Sequence, residues 1–412
     1  MTVNTENQNR HEAYVVYALG FLFLPVAAIA TAQTWVLAVA GVIAILALRV
    51  IRGRVWHAPN KLLVILVSLL VGWATLSSTW SLLPERAITT SIRLALVGGS
   101  LIILIDAAKR LNYAQRRTFG KWLIGGTITG LIITAAVIAS SGILSAWLGA
   151  TLVNGHELDS LNRTGSSVAM LVWPVALVVA QFYGRYAAAA VITVSTLTLF
   201  ALSPATPLVA FVISICGFSI AWISQRWGKR FLLLAFTGSV VMIPLLDILN
   251  PIVIDALVAS IYSPNSEVHR LLIWEFAAGR IFEHPIIGWG LDASRVIPGG
   301  HERIPMFVIN GSQQTGQAMP LHPHNALVQI WLELGIIGVI LVGGIFSLLV
   351  ASIPESDKNH AGPAIMIATA ACGFAIAQLG FGIWQGWWMA TLGLMVMIIV
   401  AIAPRAGDSE TG

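Results

Sequence analysis

The sequence predicts an all-α polytopic membrane protein with about twelve transmembrane helices and one large loop that carries short helices of its own. Three observations predict it. Hydrophobic residues fill 57% of the 412 positions and charged ones only 10%, so most of the chain cannot face water. Apolar runs of about 17 to 25 residues, the length that crosses a bilayer as a helix, recur from end to end. The basic residues gather in alternate connections, as they do when one side of a membrane holds them.

The first run, 14–32, follows a leader containing Glu6, Arg10 and Glu12. A cleaved signal needs a positive lead, so this run reads as a retained span. Run 34–50 follows, and Arg49, Arg52, Arg54 and Lys61 separate this pair from 62–79 and 88–107. Lys109, Arg110, Arg116, Arg117 and Lys121 precede the runs 122–142, 166–183, 187–203 and 207–224, and Arg226, Lys229 and Arg230 precede 231–250. These three basic connections share a side, which the charge rule makes the cytoplasm, and both termini fall there with them. Runs 324–351, 363–381 and 383–403 complete the count. The chain divides into residues 1–250 with nine spans, a periplasmic loop over 251–323, and residues 324–412 with three spans and a cytoplasmic tail.

Composition also narrows the chemistry. Cys216 and Cys372 both lie in apolar runs and read as free buried thiols. The net charge of +5 is accounted for by the cytoplasmic connections, which leaves nucleic acid without support as a partner.

The long loop gathers fourteen acidic, basic and histidine residues, from Asp255 to His322, and with them most of the candidate chemistry. Within it, SEVHRLLIWEFAAGRIFEHP places Leu271, Trp274, Ala278 and Ile281 at three- and four-residue spacing, an amphipathic helix ended by Pro285. GWGLDASRVIPGG reads as a glycine-rich loop. A loop of this length with its own helix is more often functional than filler.

All five lysines fall on the cytoplasmic side, Lys358 among them, whereas the outer side and its span ends carry arginines alone: Arg86, Arg93, Arg163, Arg270, Arg280, Arg295 and Arg303. Arginine grips a phosphate through two parallel hydrogen bonds, so this partition points to an outer site for a phosphorylated substrate. Arg163 stands at the mouth of the sixth span beside Asn162, and Arg270 sits one turn before Trp274 on the loop helix. An anion there also gains from unpaired backbone amides. The competing reading makes each arginine an interfacial anchor reaching toward lipid headgroups. Arg93, just inside span four, faces the same region, and Arg280 shares the loop helix; Arg86 and Arg303 read as solvated or lipid-facing.

The stretch LHPHNALVQIWLELGIIG puts His322, His324 and Asn325 at the outer mouth of span ten. Imidazole suits proton transfer near neutrality. Gly335 and Gly338 are expected to admit a neighbouring helix, Asn325 to cap the span or orient the ring, and Glu333 to bond inside the bundle. Neither the His-Pro-His pair nor the scattered acids form a metal set. Trp384, Trp387 and Trp388 read as an aromatic belt, with sugar stacking as the sharper alternative.

His324-Asn325, nine intervening residues, then Gly335-Ile-Ile-Gly338 resembles the signature of the O-antigen ligase and polymerase superfamily, and HRLLIWEFAAGRIFEHPIIGWG resembles its outer-loop segment. The resemblance is specific over about 260–340 and extends to the topology, while the first 150 residues are similar only in hydropathy. It implies a GT-C-like glycosyltransferase of a bacterial inner membrane, acting on the periplasmic face. Such a ligase moves a polysaccharide from undecaprenyl pyrophosphate to a lipid A-core sugar, without metal or other cofactor and with inversion. It further implies that His324 is the base or acceptor-orienting group and that Arg270 holds the pyrophosphate. Arg163, Asn162, Asn325, His322, Arg93, Arg280 and Trp274 then serve substrate binding. The chain departs from the ligase pattern in having Val339-Ile340 after the second glycine, where Thr or Tyr types are common. A polymerase that lengthens lipid-linked glycan is the alternative. A lipid-linked glycan transporter is a remoter one, since such proteins place ionisable groups near the bilayer midplane and Asp106, Asp247 and His324 fall near span ends.

Overall fold

The computed structural model describes residues 2–51, 60–140, 157–202, 205–246, 249–250, 252–253, 265–309, 312–356, 360–403 and 405. Arg52, Arg54, Asp247 and Lys358 lie outside them. Ten stretches among the described residues are long and apolar enough to cross a membrane, and the first, Arg10–Ile51, covers 42 residues. That stretch is two helices, α1 (Thr2–Ala30) and α2 (Thr34–Ile51). Ala30, with φ −146° and ψ 62°, and the 3-10 turn Thr31–Gln33 reverse the chain between them, and α2 runs back along α1.

The chain continues through α3 (Lys61–Leu76), α4 (Pro84–Lys109), α5 (Tyr113–Ala139), α6 (Glu157–Tyr183), α7 (Arg185–Leu202), α8 (Ala205–Ile223) and α9 (Gln225–Met242). The loop helix α10 (Asn265–Glu283) follows, then α11 (Ala326–Ala351), α12 (Ala361–Leu379) and α13 (Gly386–Ile402). Splitting the first stretch and counting the shorter α13 gives the twelve apolar helices that the sequence predicts. Boundaries differ where polar caps extend an apolar run. Asn112 and Gln115 form a capping box that starts α5 nine residues ahead of its apolar stretch, and the Ser224 hydroxyl, accepting from Trp227 N–H, starts α9 at Gln225.

Contacts at the two ends fix the alternation. At one end, which also holds Lys61, Lys109, Lys121 and Lys229, Arg49 of α2 meets Glu12 of α1 at 2.9 Å and Asp106 of α4 at 2.8 Å. One buried cation between two buried carboxylates leaves neither acid unpaired. Arg405 donates to the carbonyls of Lys109 and Leu111 at 2.8 and 2.9 Å, and Gln225 exchanges hydrogen bonds with Ser356 at 2.6 and 2.8 Å. At the opposite end, Thr164 donates to the Ala27 carbonyl at 2.9 Å, Thr34 to Trp387 at 3.1 Å and Thr206 to Leu379 at 3.3 Å. The loop 265–325 sits at this second end, the one that the charge pattern of the sequence assigns to the outer side.

Two apolar cores result. The larger joins α1, α2, α5, α6, α12 and α13 around Phe23, Phe119 and Trp388; the second joins α3, α4, α10 and α11 around Ile273, Ile281, Leu291 and Leu332. The predicted loop helix is present and ends two residues ahead of Pro285. Beyond the expected helices, the loop also forms an antiparallel hairpin, β1 (Arg303–Ile309) with β2 (Ser312–Gln317).

α11 is not continuous. Gly335 has φ 68° and ψ −172°, which breaks the helix. The loop 285–292 fills the break: Trp289 N–H donates to Leu332 O at 2.9 Å, Gly290 N–H to Glu333 O at 2.8 Å, and Ile336 N–H to Pro285 O at 2.9 Å. A side chain at 335 would collide with the Ile286 carbonyl. The glycine expected to admit a neighbouring helix therefore admits loop backbone, which supplies the hydrogen bonds the broken helix lacks.

Candidate functional site

The residues 322–325 approach α11 along a constrained path. Asn325 is the N-cap of α11, its side chain accepting from Val328 N–H at 3.1 Å, so of its two expected roles it takes the cap. His324 has φ 55°, a left-handed conformation uncommon outside glycine that its surroundings help to hold. Trp274 supplies part of that constraint, its indole donating to Pro323 O at 2.7 Å. Trp274 thus positions the segment rather than reaching into it.

The ring of His324 is oriented by backbone. Its Nδ1 lies 2.8 Å from the Gly380 carbonyl, which can only accept, so Nδ1 carries the proton and the neutral ring keeps its lone pair on Nε2. Gly380 belongs to the connection 380–385 between α12 and α13. The residue before it, Leu379, accepts from the Thr206 hydroxyl at 3.3 Å, and Thr206 in turn receives Nη1 of Arg270 at 3.5 Å. Arg270 and His324, 54 positions apart in the sequence, are thereby tied to the same short piece of chain.

A second path leads from His324 to Arg163. The rings of His324 and His322 are 4.3 Å apart, edge to face. His322 Nε2 lies 3.1 Å from Gln385 Nε2, and the Gln385 oxygen accepts from the Trp387 indole at 2.7 Å. Trp387 thus sets the orientation of the amide beside His322, whose Nδ1 accepts from the His324 backbone N–H at 3.3 Å. The Arg163 guanidinium stands over the Trp387 ring at 5.5 Å. Burial pushes the His322 pKa down to about 3, helped by the neighbouring His324 and Arg295, so His322 is neutral at any working pH. Gly382 lets this ring approach, because a β-carbon there would come within 2.8 Å of it.

Near Arg163, two buried polar atoms have no partner among the described residues: its own Nε and the Oδ1 of Asn162. A buried donor and acceptor left unmatched are costly without a ligand or water. Arg93 is exposed and touches the start of α13, its Cδ 3.4 Å from where a β-carbon of Gly386 would lie. Arg280 points another way, paired with Glu283 at 2.7 Å and stacked on Phe276 at 5.3 Å. Arg86 is exposed, as expected, and reaches Asp292 at 3.3 Å. Arg303 is exposed, as expected, and bonds Thr315 at 3.1 Å.

The scaffold beneath the site centres on Glu333, fully buried in α11. Its carboxylate accepts from Gln329 Nε2 at 3.0 Å, the Trp384 indole at 2.6 Å and the Asp292 amide at 2.5 Å. Gln329 also accepts from Ile383 N–H at 2.9 Å. Glu333 therefore bonds inside the bundle as expected. Trp384, Trp387 and Trp388 do not form a lipid-facing belt: their exposures are 6%, 5% and 0%, and two of the three indoles donate to protein side chains, Glu333 and Gln385. Thr206, Gly380, Gln329 and Gln385 went unread in the sequence. The only sequence signal was the run GFGIWQGWW, whose glycines and polar residue interrupt the apolar pattern.

Residues 188–343 match the family described as O-Antigen ligase. A protein of Rickettsia felis named "Putative polysaccharide ligase" is 26% identical over 345 residues, 81% of this chain and 79% of the relative. A similarly named protein of Rickettsia conorii is 29% identical over 301 residues, 70% of this chain and 68% of its own, and one of Rickettsia bellii is 24% identical over 345 residues. The resemblance drawn from the sequence is borne out.

Proposed function

We propose that this chain, whose residues 188–343 match the O-antigen ligase family, transfers a polysaccharide from undecaprenyl pyrophosphate to a lipid A-core sugar at the periplasmic face of the bacterial inner membrane. The observation that supports this reading is the chain of contacts from Arg270 through Thr206 to the Leu379 carbonyl, next to the Gly380 carbonyl that sets the tautomer of His324.

In the proposed step, His324 Nε2 accepts the proton of the acceptor hydroxyl as its oxygen attacks the anomeric carbon from the face opposite the pyrophosphate. The carbon–oxygen bond to the pyrophosphate breaks, its electron pair leaves on the phosphate oxygen, and the sugar configuration inverts. Arg270 faces the growing negative charge, with Arg163 and Asn162 as further contacts for donor or acceptor and Arg93 at the rim. His322, neutral and accepting from the His324 backbone N–H, packs behind the base. The site needs no cofactor in this scheme, because pyrophosphate is already a good leaving group. Arg280 is kept apart from the reacting centre.

Reconstitution with lipid-linked glycan and purified core lipid tests the reading. Glycan on the core lipid supports the ligase, and lengthened lipid-linked glycan instead makes the protein a polymerase. The departure Val339-Ile340 is what keeps that second reading in view.

A further inference from the structure

A cavity of about 490 Å³ runs between α11 and the α12–α13 pair, closed at its sides by α3, α4, α6 and α9. α11 touches α12 only sparsely, and the gap between them is this cavity. Its walls are almost wholly apolar, among them Phe236, Ile330, Phe346, Phe374 and Leu392. Water finds no partners in such a space, while a void forfeits the contacts of every side chain that lines it.

The two ends differ. Toward the outer site the lining residues Ala326, Leu327 and Ile330 are buried, and the hydrogen bonds from Ile383 to Gln329 and from Trp384 to Glu333 seal the connection 380–385 against α11. At the inner end the rim is open, with Lys109, Ser352 and Pro354 exposed and Arg405 beside them. The volume falls within the range of about 300 to 1,000 Å³ that holds a small apolar ligand, the mouth is cationic, and the surrounding solvent is hydrocarbon.

We propose that this cavity holds one acyl chain of an anionic phospholipid from the membrane leaflet at the inner end, with the headgroup beside Lys109. The chain fills the gap between the helix that carries His324 and the two that flank Gly380 and Gln385. The site is separate from the one proposed for the pyrophosphate and does not depend on the transfer reaction. A donor prenyl chain anchored by a headgroup at the outer end would have to pass the sealed connection to enter.

The test is photolabelling of the whole protein in lipid nanodiscs. Three probes carry a diazirine in the chain: phosphatidylglycerol, phosphatidylcholine and a polyprenyl phosphate. Labelled peptides are mapped by mass spectrometry. The expected result is labelling of cavity residues on α11, α12 and α13 by phosphatidylglycerol above phosphatidylcholine. Ala370→Phe, which fills the cavity from α12, should abolish it. Lys109→Gln, on the exposed rim and safe for folding, should reduce it about fivefold, the attraction of one lysine to an anionic surface. Labelling confined to outward-facing residues such as Leu69 and Ile132, or unchanged by Lys109→Gln, overturns the proposal, as does labelling of the cavity by the polyprenyl probe in preference to both phospholipids. Because no transfer is measured, a failure of the ligase reading would leave the result interpretable.

Discussion

The indole of Trp384 donates to the carboxylate of Glu333 across 2.6 Å, inside the bundle and directly beneath the candidate site. The same carboxylate holds Asp292 from the outer loop and Gln329 from its own helix. Three pieces of chain that are far apart in sequence thus share one acceptor, and each of them leads to a residue of the site. A site whose supporting groups are already hydrogen-bonded has little left to reorganise when charge develops, which is where enzymes of this kind gain most.

The break at Gly335 is the weakest point to disturb in this scaffold. Gly335→Ala must both adopt φ 68° and displace the Ile286 carbonyl. The strain alone is on the order of 1 to 3 kcal/mol, and the collision adds to it. The variant should lose thermal stability in detergent and accumulate poorly in membranes, whereas Gly72→Ala, at a position with open space around it, should match the parent. Equal melting curves for the two would mean that α11 can run unbroken.

How far the sequence reveals this architecture differs by element. The spans are legible because run length alone identifies them, and α10 because its apolar residues repeat every three or four positions. The histidine is legible from its spacing to Gly335 and Gly338. The break in α11 is not, since GIIG is compatible with a straight helix and only the inserted loop decides otherwise. The hairpin had a signal in Asn310-Gly311, a pair favoured in tight strand reversals, set between residues that were not read as strands. The three tryptophans were misjudged because a residue near a span end faces lipid or protein according to its neighbours, which local pattern does not show. Thr206 and Gln385 are ordinary polar residues until the fold sets them beside Arg270 and His322.

Arg270→Lys separates phosphate recognition from surface anchoring. If the planar fork holds pyrophosphate, lysine keeps the charge but loses the paired hydrogen bonds. Transfer should then fall almost as far as in Arg270→Ala, by about 2 to 4 kcal/mol of barrier, as for removal of one donor from a charge-stabilising site. Arg303→Lys, exposed on the hairpin, should be near neutral. Full activity in Arg270→Lys at matched abundance would pass the role to Arg163.

His322 gives a pH signature of stability distinct from catalysis. Folded, it stays neutral down to about pH 3, while in the unfolded chain it takes a proton near its ordinary value of 6.5. Between these values the unfolded state binds more protons, so stability falls as pH drops from about 6.5 toward 3 and this residue contributes no slope above that window. His322→Gln should flatten the decline in melting temperature between pH 6.5 and 4.5. An unchanged slope would show that other groups set it.

Topology is open to a direct check. Glu302 lies exposed in the loop and Arg226 is exposed at the opposite end. A cysteine at Glu302 should react with an impermeant thiol reagent in intact spheroplasts, and one at Arg226 should react only after lysis. The reverse pattern would invert the chain in the membrane and move the site to the cytoplasm.

The central claim, that His324 removes the acceptor proton, is tested most directly by single-turnover transfer in His324→Ala, with donor binding measured on the same preparation. A positioned base contributes about 10²- to 10⁴-fold to rate. The expected result is a loss in that range with donor binding retained, and a milder loss in His322→Ala. Transfer above about a tenth of the parent rate, below the smallest contribution expected of a base, or equal losses in the two variants, would contradict the assignment.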